Sequence, residues 1–384
     1  MTVLMVICEG GWMSQNLSKG WRLAGFEVEE FFYGSHMGRG WHAAGRRTNR
    51  ETNQRLRRTA DRLHGEGRLD LIFSVIYDDV LEIDTIKALR KYGVPMVNYH
   101  VDLVGQWYRV LRTGKYFDRV ACAQRNHWPG LKRAGISPCY MPMAANPSPQ
   151  IEAEETFNGA LYLGSPWPFR RQVLAEVAKQ GIPLRIYGNN WTTKPNDEST
   201  KRFWRKNTHD LWHYLWPRVR EEGANSMFRT FADRLSRSHA SGQSADGLSE
   251  NVRGKYAAED FGKLVRGAAI NLGFTHFSGA PGTPGEMRQV RLREFEIPMA
   301  DGFYLVQDCA QLRELYQPGV HLEVWNQAPD LCEKIRYYLS GPQKAREIAS
   351  AGREHALAHH TWEQRFRGLL RELQVPMPRF SPDR

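Results

Sequence analysis

The chain has 384 residues, too many for one ordinary hydrophobic core and enough for two domains of nearly equal size. Its 41% hydrophobic and 25% charged residues exclude a disordered chain, and the lack of any run of about 18 apolar residues excludes a membrane-spanning helix. The excess of 53 basic over 42 acidic side chains, net +11, favours acidic partners: nucleoside-diphosphate donors, anionic lipid headgroups at a membrane surface, or nucleic acid.

In chain order, Val3 to Cys8 is a buried strand, and MTVLMVIC is too short and lacks the basic leader of a signal peptide. Glu9-Gly10-Gly11-Trp12 follows, then a helical pattern through Leu17, Trp21 and Leu23. Strand, glycine turn and helix make the first unit of a Rossmann-like domain, although two glycines without the GxGxxG spacing are a weak dinucleotide signal. A second strand runs from Phe26 to Tyr33. The basic stretch from Arg46 to Arg68 reads as a solvated helix with Leu56, Ala60 and Leu63 on one side. If an acceptor is anionic, Arg46, Arg47, Arg50, Arg57 and Arg58 are the patch to meet it.

Asp70 to Ile76 is a third strand, Leu81 to Tyr92 a helix closed by Gly93, and Pro95 to His100 a fourth strand. Polar residues at the carboxyl end of a parallel strand point into the ligand crevice, which nominates His100 and Asp102. The other reading of His100 is a loop histidine satisfied by a local hydrogen bond. Phe117 to Cys122 is a fifth strand and Trp128 to Ala134 a helix, and the prolines at 142, 147 and 149 stiffen what reads as an interdomain linker.

The second domain opens with the strand Gly159 to Gly164, then Ser165, Arg170 and Arg171, a helix from Val173 to Gln180, and the strand Leu184 to Gly188. Residues 190–250 read as a helical insertion rich in Trp, Arg and Ser, with Trp191, Trp204, Trp212 and Trp216 packing it or stacking on a base or sugar. Phe261 to Ala268 is a helix and Ala269 to Phe274 a short buried strand. A loop dense in glycine and proline then leads to RLREFEIPMADGFYLVQD, where Arg291, Arg293, Glu294 and Glu296 crowd the start of a short apolar helix. The helix N-terminus and flanking arginines suit a diphosphate, and a carboxylate one turn in, Glu296, can accept both hydroxyls of a ribose. The same pattern also fits a surface salt-bridge ladder. Thr361 is a candidate N-cap for a last helix through Leu373, and His359-His360 lacks metal-ligand spacing. The five cysteines, Cys8, Cys122, Cys139, Cys309 and Cys332, are odd in number and unpaired in spacing, so a reducing cytoplasm fits and neither disulfides nor a metal site are expected.

From RLREFEIPMADGFYLVQD through LRELYQPG, LCEKIRYYLSGP and REIASAGREHALAHHTWEQRF, the chain resembles the C-terminal half of a CgeB-like glycosyltransferase of the GT-B class. YFDRVACAQ and YMPMAANP resemble the family's first domain. The resemblance implies an α/β GT-B fold with two Rossmann-like domains facing across a cleft: 1–145 for the acceptor and 146–358 for the sugar nucleotide. A crossover helix and tail at 359–384 would follow. It implies transfer of a sugar from a nucleoside-diphosphate sugar to a hydroxyl, with retention; no DxD pair stands in the cleft loops, although Asp78-Asp79 follows the third strand, so transfer without metal or other cofactor is expected. Glu296 matches the second glutamate of the superfamily's Glu-x7-Glu motif, while Arg288 stands at the first. Asp301 occupies a position that is small in the family. Arg170 matches a residue that grips the diphosphate. Gly164, Ser165, Arg171, Gly188, Arg288, Arg291 and Arg293 complete the expected donor site. His100 touches the transferred sugar, with His100 or Asp102 as general base if the reaction inverts, and Gly10, Gly11 and Trp12 lie on the acceptor side. A nucleic-acid base as acceptor, or a binding protein without turnover, are the alternatives.

Overall fold

The computed structural model describes residues 1–8, 11–34, 46–149, 155–191, 219–220, 247–279, 281–283 and 286–376, the side chains of 46–49 excepted. The described residues of Met1–Asn146, Arg205–Ser226 and Thr361–Arg384 form one compact unit, and those of Pro147–Trp204 and Met227–His360 the other.

The first unit holds a six-stranded parallel sheet, β1 (Thr2–Ile7), β2 (Glu27–Phe32), β3 (Leu71–Ser74), β4 (Met96–His100), β5 (Arg119–Cys122) and β6 (Pro138–Tyr140), in the order β2-β1-β3-β4-β5-β6. Every residue of β1 is buried, as an unbroken apolar run requires in a strand covered on both faces. The strand order reverses between β1 and β3, so a crevice opens at the carboxyl ends of those two strands. The helices α1 (Lys19–Leu23), α2 (Arg46–Gly65), α3 (Ile83–Arg90), α4 (Leu103–Gln106) and α5 (Trp128–Arg133) connect the strands. Leu56, Ala60 and Leu63 are fully buried on α2. The helix expected after β1 begins instead with a π-helical turn, Ser14–Ser18. Its widened backbone leaves the carbonyls of Gln15 and Asn16 to accept from Asn146 Nδ2 at 3.1 and 2.9 Å.

The second unit has β7 (Phe157–Leu163), β8 (Leu184–Tyr187), β9 (Val252–Gly254), β10 (Ala268–Gly273), an antiparallel hairpin of β11 (His276–Ser278) and β12 (Met287–Arg288), then β13 (Tyr304–Gln307) and β14 (Glu323–Trp325). Its main sheet is parallel in the order β14-β13-β10-β7-β8-β9, the winding of a dinucleotide-binding domain with its reversal between β7 and β10. The helices are α6 (Pro168–Lys179), α7 (Phe261–Gly267), α8 (Arg293–Met299), α9 (Ala310–Leu315), α10 (Ala328–Ser340) and α11 (Pro342–His359). α6 starts at Pro168 rather than Val173, because proline is preorganised for the first helical position, and this puts Arg170 in the first turn.

α12 (Trp362–Glu372) completes the core of the first unit. Its N-cap is Thr361, which forms a full capping box with Gln364: Gln364 N donates to Thr361 Oγ1 at 3.2 Å and Thr361 N to Gln364 Oε1 at 2.9 Å. Phe366 stacks on Trp21 with ring centroids 4.0 Å apart. Gly20 permits the approach, since a Cβ there would come within 2.4 Å of Trp362 Cβ. Trp362 N donates to Ala145 O at 3.3 Å, tying the helix start to the segment that ends the unit.

Candidate functional site

The carboxyl edge of the second sheet at the β7/β10 reversal gathers most of the donor residues expected from sequence. β7, β8 and β10 end at or next to Gly164, Gly188 and Gly273, which keep the edge low. A Cβ on Gly188 would lie 2.1 Å from the Gly164 carbonyl oxygen, and one on Gly273 2.2 Å from Tyr304 Oη. Ser165 is exposed just beyond Gly164. Arg170 Nη1 donates to the hydroxyl of buried Tyr162 at 2.9 Å and to Ser165 O at 3.4 Å, and its Nε is buried with no partner. Among the described residues Arg170 forms no ion pair, although its charge acts on the buried Glu294 carboxyl. Arg291 reaches over the end of β10, donating to the carbonyls of Phe274 and His276 at 3.4 and 3.3 Å. Two guanidiniums at a sheet edge beside a helix first turn are the kind of groups that a diphosphate needs.

The charges at the start of α8 divide into two roles that the sequence does not separate. Glu294 is buried and turned back on its own chain, accepting from the Arg291 amide at 2.7 Å and from Tyr304 Oη at 3.3 Å. Burial pushes its carboxyl above the usual range. This carboxylate thus holds the amide just ahead of α8, while the Phe295 and Glu296 amides of the first turn bond to the Leu292 carbonyl, both at 3.0 Å. Glu296 is 18% exposed and pairs with Arg293. Arg293 in turn donates to Tyr256 Oη at 2.5 Å and lies 4.6 Å from the Phe261 ring centroid. Glu296 is thus the carboxylate of this stretch that a ribose can reach. Asp301 adopts φ +63°, a left-handed conformation that aspartate tolerates better than most residues, and it pairs with Arg266.

Arg171 and Arg288 have local work. Arg171 Nη2 donates to the carbonyls of Asn190 and Trp191 at 3.2 and 2.8 Å, holding the turn after β8. Arg288 grips Glu286 through Nε and Nη2, both at 2.9 Å, and donates to Asp308 O at 2.6 Å. Burial alone would raise Glu286, but the Arg288 fork and the Gly282 amide outweigh it and hold the carboxyl below its usual range. Sequence reading passed over Glu286, although a carboxylate two residues from Arg288 was the available signal.

In the first unit, Gly11 takes φ +78° in the turn after β1, and Trp12 is half-buried with its carbonyl accepting from Asn16 Nδ2 at 3.1 Å. Gly10 lies outside the described residues. His100 ends β4 but is 1% exposed; its Nε2 meets the Gln106 carbonyl at 3.0 Å and its Nδ1 has no hydrogen-bond partner. Desolvation pushes the imidazole down to about 4, against the attraction of nearby Asp102. Asp102 itself is half-buried at the N-cap of α4. A cluster that sequence reading left out joins them. The Arg109 guanidinium lies 3.7 Å over the Tyr77 ring, donates to Gln106 Oε1 at 2.6 Å and pairs with Asp79 at 3.4 Å. Tyr77 meets His100 edge to face at 5.5 Å. Asp78 is buried and accepts from the amides of Arg112 and Thr113 and from Thr113 Oγ1 at 3.0, 2.9 and 2.7 Å, so it fixes the loop that carries Arg109.

His100 makes a pH prediction with a definite sign. Its folded pKa lies below the unfolded value, so the stability it contributes is complete above about pH 6.5 and is lost as pH falls toward 4. Replacing His100 with glutamine is expected to remove up to about 3 kcal/mol of the acid-side loss between those limits. Urea melts of both proteins at pH 7.5, 5.5 and 4.5 check it; parallel stability curves would show that His100 does not titrate in this way.

Of the arginines proposed for an anionic acceptor, Arg50 and Arg58 are exposed and Arg57 donates to Thr85 Oγ1 at 3.1 Å, while the side chains of Arg46 and Arg47 lie outside the described residues. So do Trp204, Trp212 and Trp216 of the insertion; Trp191 is buried and donates from Nε1 to Gly164 O at 2.8 Å. His360 Nε2 lies 2.9 Å from Leu315 O, and among the described residues no group of His, Cys, Asp and Glu is placed to hold a metal ion. No described helix is long and apolar enough to cross a membrane.

No curated protein gives a significant sequence match. Residues 220–371 match the sequence model of a family described as glycosyl transferase-like. Among solved structures, HepE of Anabaena, in complex with UDP and glucose, is similar at 14% identity over 97% of this chain and 99% of that one, with a TM-score of 0.57. Sucrose-phosphate synthase of Thermosynechococcus elongatus is similar at 13% identity over 97% and 99%, with a TM-score of 0.55. A glycosyltransferase of Rickettsia africae is similar at 13% identity over 97% of both chains, with a TM-score of 0.54. The chain thus has the two-domain α/β fold of GT-B glycosyltransferases, and the stretch holding Arg291 and Glu296 falls within its glycosyl transferase-like match.

Proposed function

We propose that the protein is a glycosyltransferase that binds a nucleoside-diphosphate sugar at the carboxyl edge of its second unit and transfers the sugar to an acceptor hydroxyl bound by the first. The observation that carries this reading is the gathering of Arg170 and Arg291 at the β7/β10 reversal, with Glu296 in α8. The diphosphate lies against the two guanidiniums and the first turn of α6. The ribose hydroxyls donate to Glu296, displacing part of its pairing with Arg293, and the nucleobase lies toward the Tyr256 ring. Breaking the anomeric bond places negative charge on the leaving diphosphate, and preorganised cations stabilise that charge more in the transition state than in the bound donor. The two arginines supply this without a metal ion.

Retention is the stereochemical outcome we favour, with the departing phosphate accepting the acceptor proton on the same face. His100, pushed down to about 4 and 1% exposed, is a weak base at neutral pH and poorly placed for proton abstraction. Asp102 is the base if the reaction inverts. The CgeB-like kinship, a cytoplasmic location suited to five free thiols, and an anionic acceptor drawn by the net charge of +11 belong to the same reading.

HepE is solved with UDP-glucose, so UDP-hexoses are the first donors to test, followed by GDP- and dTDP-sugars. Release of the free nucleoside diphosphate, measured with and without the protein, is expected for one member of the panel. Calorimetry that detects no binding of any member would refute the donor assignment.

A further inference from the structure

We propose that Trp167 and Phe277 form an aromatic platform that receives the transferred sugar ring, an inference that rests on the nucleotide-sugar reading above. Position along the sheet edge decides it. Tyr256 follows β9, and the pair of Arg293 with Glu296 reaches toward it, so the nucleoside lies on the β9 side. Arg170 and Arg291 mark the diphosphate at β7 and β10. In a nucleoside-diphosphate sugar the two ends leave the diphosphate separately, so the sugar belongs on the side away from the ribose. The β11–β12 hairpin stands there: it follows β10 and is tied to the end of β13, where the His276 amide donates to Gln307 Oε1 at 2.9 Å. The hairpin carries Phe277, which meets Trp167 of the β7–α6 loop with ring centroids 6.1 Å apart and planes inclined at 44°.

The diphosphate-binding cations also flank these rings. Arg170 Cζ lies 5.6 Å from the Trp167 ring centroid and Arg291 Cζ 5.9 Å from that of Phe277. Both rings are half-buried. The C–H face of a hexose carries weakly positive hydrogens and suits the negative face of an aromatic ring, and an apolar wall beside a few fixed polar groups is the usual form of a small-molecule site. The platform makes the sugar a hexose with an apolar face and assigns these two residues to sugar recognition rather than nucleotide recognition.

Titration calorimetry with UDP, UDP-glucose, UDP-galactose and UDP-N-acetylglucosamine on the wild-type chain and on Trp167→Ala, Phe277→Ala and Trp167→Phe tests this. Each alanine variant is expected to bind the preferred UDP-hexose about three- to tenfold more weakly, with a clearly smaller loss for UDP and most of the loss restored in Trp167→Phe. Equal losses for UDP and UDP-hexose, or no loss for UDP-hexose, overturn the platform. A wild-type chain that binds UDP but none of the UDP-hexoses also overturns it, and leaves the nucleotide site standing. One that binds neither overturns the nucleotide-sugar reading and the platform together.

Discussion

Replacing Glu296 with alanine is expected to weaken UDP-sugar binding at least about hundredfold while the protein stays folded. Two ribose hydroxyls donating to one carboxylate are charge-assisted hydrogen bonds of about 1.5–3 kcal/mol each, and alanine loses both. Folding survives because Arg293, the partner left behind, keeps the Tyr256 hydroxyl at 2.5 Å and the Phe261 ring at 4.6 Å. Calorimetric titration with circular dichroism as the folding control checks it. Undiminished affinity in a folded variant would remove Glu296 from the donor site and would point to Arg293 as a structural cation whose partner matters only for packing. Glu296→Gln retains one acceptor oxygen and is expected to fall between wild type and alanine.

Replacing Arg170 with alanine is expected to lower kcat by about a hundredfold or more, the usual cost of removing one preorganised donor from developing negative charge. The effect belongs mainly in kcat, because the charge on the diphosphate grows as the anomeric bond breaks. Folding is affected little: Tyr162 Oη, which loses Arg170, still donates to Ser165 O at 3.3 Å. Arg170→Lys keeps the charge but loses the planar fork, and is expected to recover part of the rate. Nucleotide-release kinetics at saturating donor measure both variants. A variant whose KM rises while kcat stays at the wild-type value would place Arg170 in ground-state binding alone.

The strands were legible because parallel strands buried on both faces are continuous apolar runs, as in Thr2–Ile7, and the C-terminal helix because Thr361 is a good N-cap, to which the structure adds Gln364. The candidate edge was legible in part, since glycines ending β7 and β8 mark where a crevice can open. Assigning each charge its task was not. RxRExE contains two carboxylates two residues apart, and only the turn of α8 shows that Glu294 folds back onto the Arg291 amide while Glu296 remains partly exposed. Arg170 and Arg171 look equivalent in a string. Helical geometry sends Arg170 to Tyr162 and Ser165 and Arg171 to the turn after β8. The Arg109, Tyr77 and Asp79 cluster had no local signal at all, because its members are brought together by the loops after β3 and β4. His100 was visible at a strand end, but its burial and the Gln106 carbonyl on Nε2 depend on the chain beyond it.

A crystal structure of the protein with UDP tests the donor assignment most directly. The diphosphate oxygens are expected within hydrogen-bond distance of the Arg170 and Arg291 guanidiniums, and the ribose hydroxyls on the carboxylate of Glu296. UDP bound elsewhere, or with its ribose away from that carboxylate, would contradict it.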